Sequence, residues 1–207
     1  MQMLNYMNEG GSIMWIIAAF SLAALAVAAE RLMFFRKASG DPAKLESELA
    51  AIAESGDYSR RLSETESSLA RLFTDALSQW DADGEDMKLL TEERIRREIY
   101  RWEKHLFIME MVGKLAPLLG LLGTVLGMVE MFGSLHVGGQ ISAEAVTGGI
   151  WKALYTTVAG LTVAIPTIFV NGLLNSRIDG EEEKLERGAD FVLRLHRKNC
   201  GNAPAKN

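Results

Sequence analysis

Four threonines stand where polar side chains are scarce. Thr124 lies in the apolar run Leu115–Leu135 (LAPLLGLLGTVLGMVEMFGSL), and Thr156, Thr157 and Thr162 lie in the run Gly148–Leu174 (GGIWKALYTTVAGLTVAIPTIFVNGLL). At 1.5 Å per residue, each run can cross a hydrocarbon core of roughly 30 Å. In that medium a hydroxyl has few partners besides backbone carbonyls or another polar group in a lumen. A chain with threonines there is a candidate for moving something polar across a membrane.

The neighbours of these threonines are small. Gly120 and Gly127 fall on nearly the same helical face as Thr124, and Gly123-Thr124-Val125-Leu126-Gly127 is a small-xxx-small motif. In the later run, Ala153, Thr157, Gly160 and Ala164 recur at four, three and four, a second small-residue stripe around a hydroxyl. Two readings fit. In one, the hydroxyls bond to their own backbone and Gly120, Gly123, Gly127 and Gly160 simply let helices pack closely. In the other, several copies of the chain arrange the stripes around a central space ringed by hydroxyls. Three spans of one chain cannot enclose such a pore, so the second reading requires an oligomer.

The elements that must position these groups follow from hydropathy and charge. A third apolar block, Ile13–Ala29, extends into Leu32-Met33-Phe34-Phe35. No Lys or Arg precedes it, so it lacks the basic region of a signal peptide and reads as a retained membrane helix. Basic residues set the orientation. Residues 1–12 and the connection His136–Glu144 hold none, whereas Arg31, Arg36, Lys37, Lys104, Lys114, Arg177, Lys184 and Arg187 flank the other ends of the three runs. The N-terminus and the short connection are thus expected outside, with Trp15 and Trp151 near the outer interface. The middle segment and the tail are expected in the cytoplasm.

The middle segment reads as helices. Asp41-Pro42 is a start signal, Leu45, Leu49 and Ile52 follow at helical spacing, and Ser55-Gly56 is a stop. A second amphipathic stretch, Tyr58 to Trp80, carries Leu62, Leu69, Leu72, Phe73, Ala76 and Leu77, and Asp81-Ala82-Asp83-Gly84 breaks it. From Asp86 no breaker appears before Pro117, and Ile95, Ile99, Trp102, Leu106 and Met109 recur at four, three, four and three. One long helix running from the cytoplasm into the bilayer is therefore expected, with the charged run Glu92–Lys104 as its solvated face. The tail after Arg177 reads as a weaker helix, interrupted at Gly180 and Gly188, that packs Leu185, Phe191, Val192 and Leu195 on the cytoplasmic bundle. Disorder is expected beyond Lys198. No run suggests a β-sheet, so the fold class is an all-α membrane protein.

The net charge of −5 is mixed in sign and gives no basic field for nucleic acid. The single cysteine, Cys200, excludes an internal disulfide, and His105, His136 and His196 have no metal-ligand spacing. No phosphate loop, nucleophile elbow or catalytic triad pattern is present. The expectation is a protein that is not an enzyme and uses no metal or cofactor.

The last two runs resemble the MotA/TolQ/ExbB proton-channel family, its ExbB and TolQ branch more than the MotA branch. The residues carrying this are Ala116-Pro117, Gly120-Leu121-Leu122-Gly123-Thr124-Val125-Leu126-Gly127, Gly149-Ile150, Ala153-Leu154-Tyr155-Thr156-Thr157, Gly160-Leu161 and Ala164-Ile165-Pro166. The resemblance implies a homopentamer in the bacterial inner membrane whose second and third spans line a pore. Inside it would sit an ExbD- or TolR-like single-span partner carrying one essential aspartate. Protons driven inward would bind and leave that aspartate, and a TonB- or TolA-like transducer would carry force to the outer membrane. By motif, Thr124 and Thr157 are then the pore hydroxyls, with Thr156 their neighbour. A neutral hydroxyl can donate to a carboxylate and accept from its protonated form, so it traps neither state by charge.

On this basis the chain divides into a periplasmic N-terminus (1–12), spans at 13–35, 114–135 and 146–175, a cytoplasmic helical domain (36–113), a periplasmic loop (136–145) and a cytoplasmic helix and tail (176–207). Membrane lipids are the remaining expected partner. Two alternatives are a non-conducting membrane scaffold and a MotA-like motility stator, although the latter would have four spans and a longer chain. A neighbouring reading frame encoding a short single-span protein with an intramembrane Asp would favour the motor.

One departure from the family pattern stands out. Lys152 occupies a position where ExbB and TolQ proteins carry glutamate, and Glu130 one where many carry a neutral polar residue. Counting residues gives a difference in depth of roughly 4 Å along the axis. An ion pair between Glu130 and Lys152 near the outer mouth is expected, against the alternative that Lys152 snorkels alone to the interface.

Overall fold

The computed structural model describes residues 11–57, 62–63, 66–138 and 143–201. The expected N-terminal segment before Gly11, part of the short connection, the start of the second amphipathic stretch at Tyr58 and the tail after Gly201 lie outside the described residues. Six helices are described: α1 (Gly11–Ala38), α2 (Pro42–Ser55), α3 (Ser68–Ser78), α4 (Gly84–Glu103), α5 (Leu106–Gly138) and α6 (Ala143–Gly201). No strand occurs among the described residues. Three helices are long and apolar enough to cross a membrane: α1 over Gly11–Arg36, α5 over Leu106–Gly133, and α6 within Thr147–Asn199.

The chain forms two compact units. The first joins α1 up to Glu30 with His105–Leu173, and the second joins Arg31–Lys104 with the chain from Leu174. In the first unit, Ala24 of α1 packs with Val112 and Ala116 of α5 and Ala164 of α6, with Phe20, Ile108 and Val163 beside them. Small residues at such contacts bring backbones close, which is where helices in lipid gain their packing energy.

The second unit has a water-soluble type of core. Leu45, Leu49 and Ile52 of α2, Leu69, Leu72, Phe73, Ala76 and Leu77 of α3, Met87 of α4, and Leu185, Ala189 and Val192 of α6 are all buried together with Leu62. Each Leu or Phe so buried contributes about 1.5–3 kcal/mol. Local chemistry sets the helix ends. Asp41 caps α2 by accepting from Ala43 N at 3.1 Å, and Gly56 closes it at φ 69° with its N–H on Ile52 O. Ser67 Oγ accepts from Ala70 N to start α3, and the Asp83 carboxylate accepts from Gly84 N to start α4.

Two helix boundaries differ from the sequence expectation. The expected long helix from Asp86 to Leu135 is broken: α4 stops at Glu103, and His105 has a φ of 68° before α5 begins. A left-handed conformation costs a non-glycine residue about 1–2 kcal/mol. It is held by tertiary contacts that local propensity does not express. Trp102 is fixed by Ser68 Oγ, Phe34 and Phe35, His105 Nδ1 lies 2.9 Å from a Glu30 oxygen, and His105 O accepts from Ile108 N. The long helix is α6 instead, 59 residues without interruption at Gly180 or Gly188, and helical through residues 199–201 as well. Its buried positions explain this. Ala153, Thr156, Gly160, Ala164 and Thr167 recur at three, four, four and three, and the same side continues through Leu174, Ile178, Leu185, Ala189, Val192 and His196. Gly188 offsets its poor propensity by admitting Leu69 and Phe73 into the space a Cβ would fill.

The charged run Glu92–Lys104 is also not wholly a solvated face. Glu98 is 1% exposed and takes a bidentate contact from Arg71 at 3.1 and 3.2 Å, with Arg101 and Arg94 adding further contacts. His196 is buried too, with its ring nitrogen 3.0 Å from Trp80 O.

Candidate ion-pathway site

The site is the antiparallel contact of α5 with α6, and glycine makes it possible. A Cβ on Gly120 would stand 2.9 Å from Thr156 O and 3.0 Å from Thr157 Cα. On Gly160 it would lie 2.5 Å from Ala116 O, on Gly127 3.3 Å from Ala153 Cβ and Gly149 O, and on Gly123 it would overlap the Thr156 side chain. The four glycines singled out from the sequence thus all stand in this contact. Gly113 against Ile168 and Gly149 against Met131 extend it in both directions.

The hydroxyls divide into two groups. Thr156 is sealed at 1% exposure, donating to Ala153 O at 2.9 Å with Gly120 O 3.4 Å away. Thr157 is half-buried and donates to Gly120 O at 3.2 Å, so it crosses from α6 to α5. Thr124 is half-buried as well, but donates within its own helix to Leu121 O at 2.6 Å. Thr162 is exposed and donates to Val158 O, and Thr167 donates to Val163 O. The buried stripe of α6 therefore runs through Thr156, not through Thr157 as the spacing at four, three and four suggested. Both choices satisfy helical periodicity after Ala153; the notch at Gly123 selects Thr156. A second feature escaped the sequence reading: the Asn171 side-chain carbonyl is buried with no hydrogen-bond partner among the described residues.

Glu130 and Lys152 are brought together, with Lys152 Nζ 2.5 Å from Glu130 Oε2. A Cβ on Gly11, in the first turn of α1, would lie 3.7 Å from that same ammonium. Lys152 thus meets α5 and the start of α1 together. Trp151 is exposed and stacks on Tyr155 at 6.4 Å, and Trp15 is exposed on α1.

These features define a helical membrane protein with three candidate spans, two of them locked by glycine around hydroxyls. A profile of the MotA/TolQ/ExbB proton channel family matches residues 64–187, which include α5 and about the first three quarters of α6. The chain belongs to that family, and to its ExbB/TolQ-like branch. An ExbB-like biopolymer transport protein of Synechocystis is 31% identical over 172 residues, covering 81% of this chain and 82% of its own length. Biopolymer transport protein exbB1 of Vibrio cholerae is 36% identical over 99 residues (47% of this chain, 43% of that protein). The Tol-Pal system protein TolQ of Haemophilus influenzae is 33% identical over 111 residues (53% and 49%).

Proposed function

We propose that this chain is the channel-forming subunit of an inner-membrane motor that couples proton flow to work at the outer membrane. Five copies surround an ExbD- or TolR-like single-span partner, and a TonB- or TolA-like protein transmits the force. The N-terminus and the α5–α6 connection face the periplasm, and the second unit and the tail face the cytoplasm. The role is ion-coupled and mechanical, not enzymatic.

The observation that carries this reading is the division among the hydroxyls. Thr156 is sealed in the helix contact, while Thr124 and Thr157 keep part of their surface free. Each free lone pair or rotated O–H can serve a passing carboxyl group in either protonation state. Moving one charge through 100 mV supplies about 2.3 kcal/mol, which biases such a step well beyond thermal energy. The test is proton flux in vesicles holding the chain together with an ExbD- or TolR-like single-span protein. Thr124→Val and Thr157→Val should each abolish flux with the oligomer intact on native mass spectrometry, whereas Thr156→Val should keep flux and lose about 1 kcal/mol of stability. Full flux in both of the first two variants overturns the reading.

A second reading has its own support. The hydroxyls of Thr124, Thr156, Thr157, Thr162 and Thr167 each donate to a backbone carbonyl, as a non-conducting scaffold would require. The same flux measurement on the unmodified chain separates the two.

A further inference from the structure

A cavity of about 260 Å³ in the second unit has no part in the ion pathway. Phe35, Ser39, Trp102, Arg177, Glu181 and Lys184 line it, with Gly180 in its wall. Phe35 and Trp102 are buried with ring centroids 4.5 Å apart and make an aromatic floor. Ser39 Oγ and Lys184 Nζ both donate to Glu181 Oε1, at 2.8 and 2.7 Å. The Glu181 and Lys184 charges therefore offset each other. Arg177 is different: among the described residues its guanidinium has no hydrogen bond or ion pair. The cavity holds one uncompensated positive charge beside an apolar floor.

Its lining comes from the ends of two apolar runs. Phe35 lies in the last turn of the candidate span Gly11–Arg36, and Arg177 follows by three residues the apolar run that ends at Leu174. Lipid phosphates occupy that level of a bilayer, and basic and aromatic side chains gather there. A guanidinium binds phosphate oxygens in a planar, two-pronged geometry. The aromatic floor suits the glycerol and the first methylenes of an acyl chain. An ammonium headgroup, by contrast, would meet a carboxylate already engaged by Lys184.

We propose that this cavity holds the phosphodiester of an anionic membrane phospholipid, with Arg177 as its ligand. The assignment is independent of which partner or ion the channel uses.

The experiment is native mass spectrometry of the full chain in detergent, titrated with phosphatidylglycerol and with phosphatidylcholine of the same acyl chains. A Cβ on Gly180 meets nothing within 4 Å, so Gly180→Leu fills open space with the helix preserved and every charge in place. Phosphatidylglycerol should bind more tightly than phosphatidylcholine, and Arg177→Gln and Gly180→Leu should each weaken it about tenfold or more. Gly180→Ala should bind as the unmodified chain does. Unchanged affinity in either of the first two variants overturns the assignment. Equal loss in Gly180→Ala would trace the effect to the helix and overturn it as well. Displacement of the lipid by glycerol 1-phosphate at equal concentration would assign the cavity to a soluble phosphate and overturn the lipid source.

Discussion

The Glu130–Lys152 pair shows how much a single contact depends on what surrounds it. The two groups are 2.5 Å apart, but the Glu130 side chain is 64% exposed in a single chain. Water would leave such a pair worth little, whereas removing one partner from a dry site costs about 3–5 kcal/mol. Lys152→Met and Glu130→Gln should each destabilise the protein, and the double variant should recover about 1 kcal/mol or more of the summed loss. Strict additivity in thermal melts of the detergent-solubilised protein would mean that the two charges act independently. Glu98 is the other residue whose charge matters. Burial alone would raise its carboxyl, but hydrogen bonds from Arg71 and Ser68 and the charges of Arg71 and Arg101 outweigh burial and hold it below its ordinary value of 4.5. A carboxyl depressed by folding stabilises the fold above its ordinary value, and that contribution is lost as pH falls through the depressed one. The thermal stability of the second unit should therefore fall on acidification below the ordinary value. Glu98→Gln should begin less stable by about 3 kcal/mol or more and show a shallower acid loss. Parallel pH profiles for the two proteins would contradict this.

Among the elements, α5 and α6 depend on backbone contact. The Gly160 Cα faces Ala116 O, a backbone atom that cannot rotate away, so Gly160→Ala must push the helices apart. A loss of about 1–3 kcal/mol is expected, while Gly172→Ala, where a Cβ meets nothing within 4 Å, should be neutral or stabilising. Detergent-denaturation midpoints compare the two, and equal midpoints would mean that the glycine contact carries no packing energy. Local signals revealed much of this architecture. The apolar runs, the cap at Asp41-Pro42 and the stop at Gly56 state their own roles, because the relevant chemistry lies within a few residues. What could not be read depended on distant partners. The turn at His105 has no glycine or proline to announce it and rests on Trp102, Ser68 and Glu30. Gly180 and Gly188 looked like breaks because the packing of Leu69 and Phe73 against Gly188 joins residues more than a hundred positions apart. Glu98 looked solvated because Arg71 lies on another helix. At the site, periodicity allowed Thr156 or Thr157 to face inward, and only the position of Gly123 decides between them.

At the scale of the whole molecule, the second unit is assembled from two separate stretches of chain. Leu185, Ala189 and Val192 complete a core otherwise made by α2, α3 and α4. A chain ending after Leu174 would lose them, and several kcal/mol of burial is a large part of the 5–15 kcal/mol that holds a typical domain. Limited proteolysis should then cut readily within residues 42–103, and protection equal to that of the full chain would show that these helices fold without α6. The same arrangement bears on how the protein is made. α4 ends at Glu103 and α6 at Gly201, and both candidate spans α5 and α6 are synthesised between them. At about 5–20 residues per second, a ribosome needs roughly 5–20 s to cover that interval. Throughout it the apolar sides of α2 and α3 wait without their last covering helix, so this unit should depend on a chaperone that binds early and lets go late.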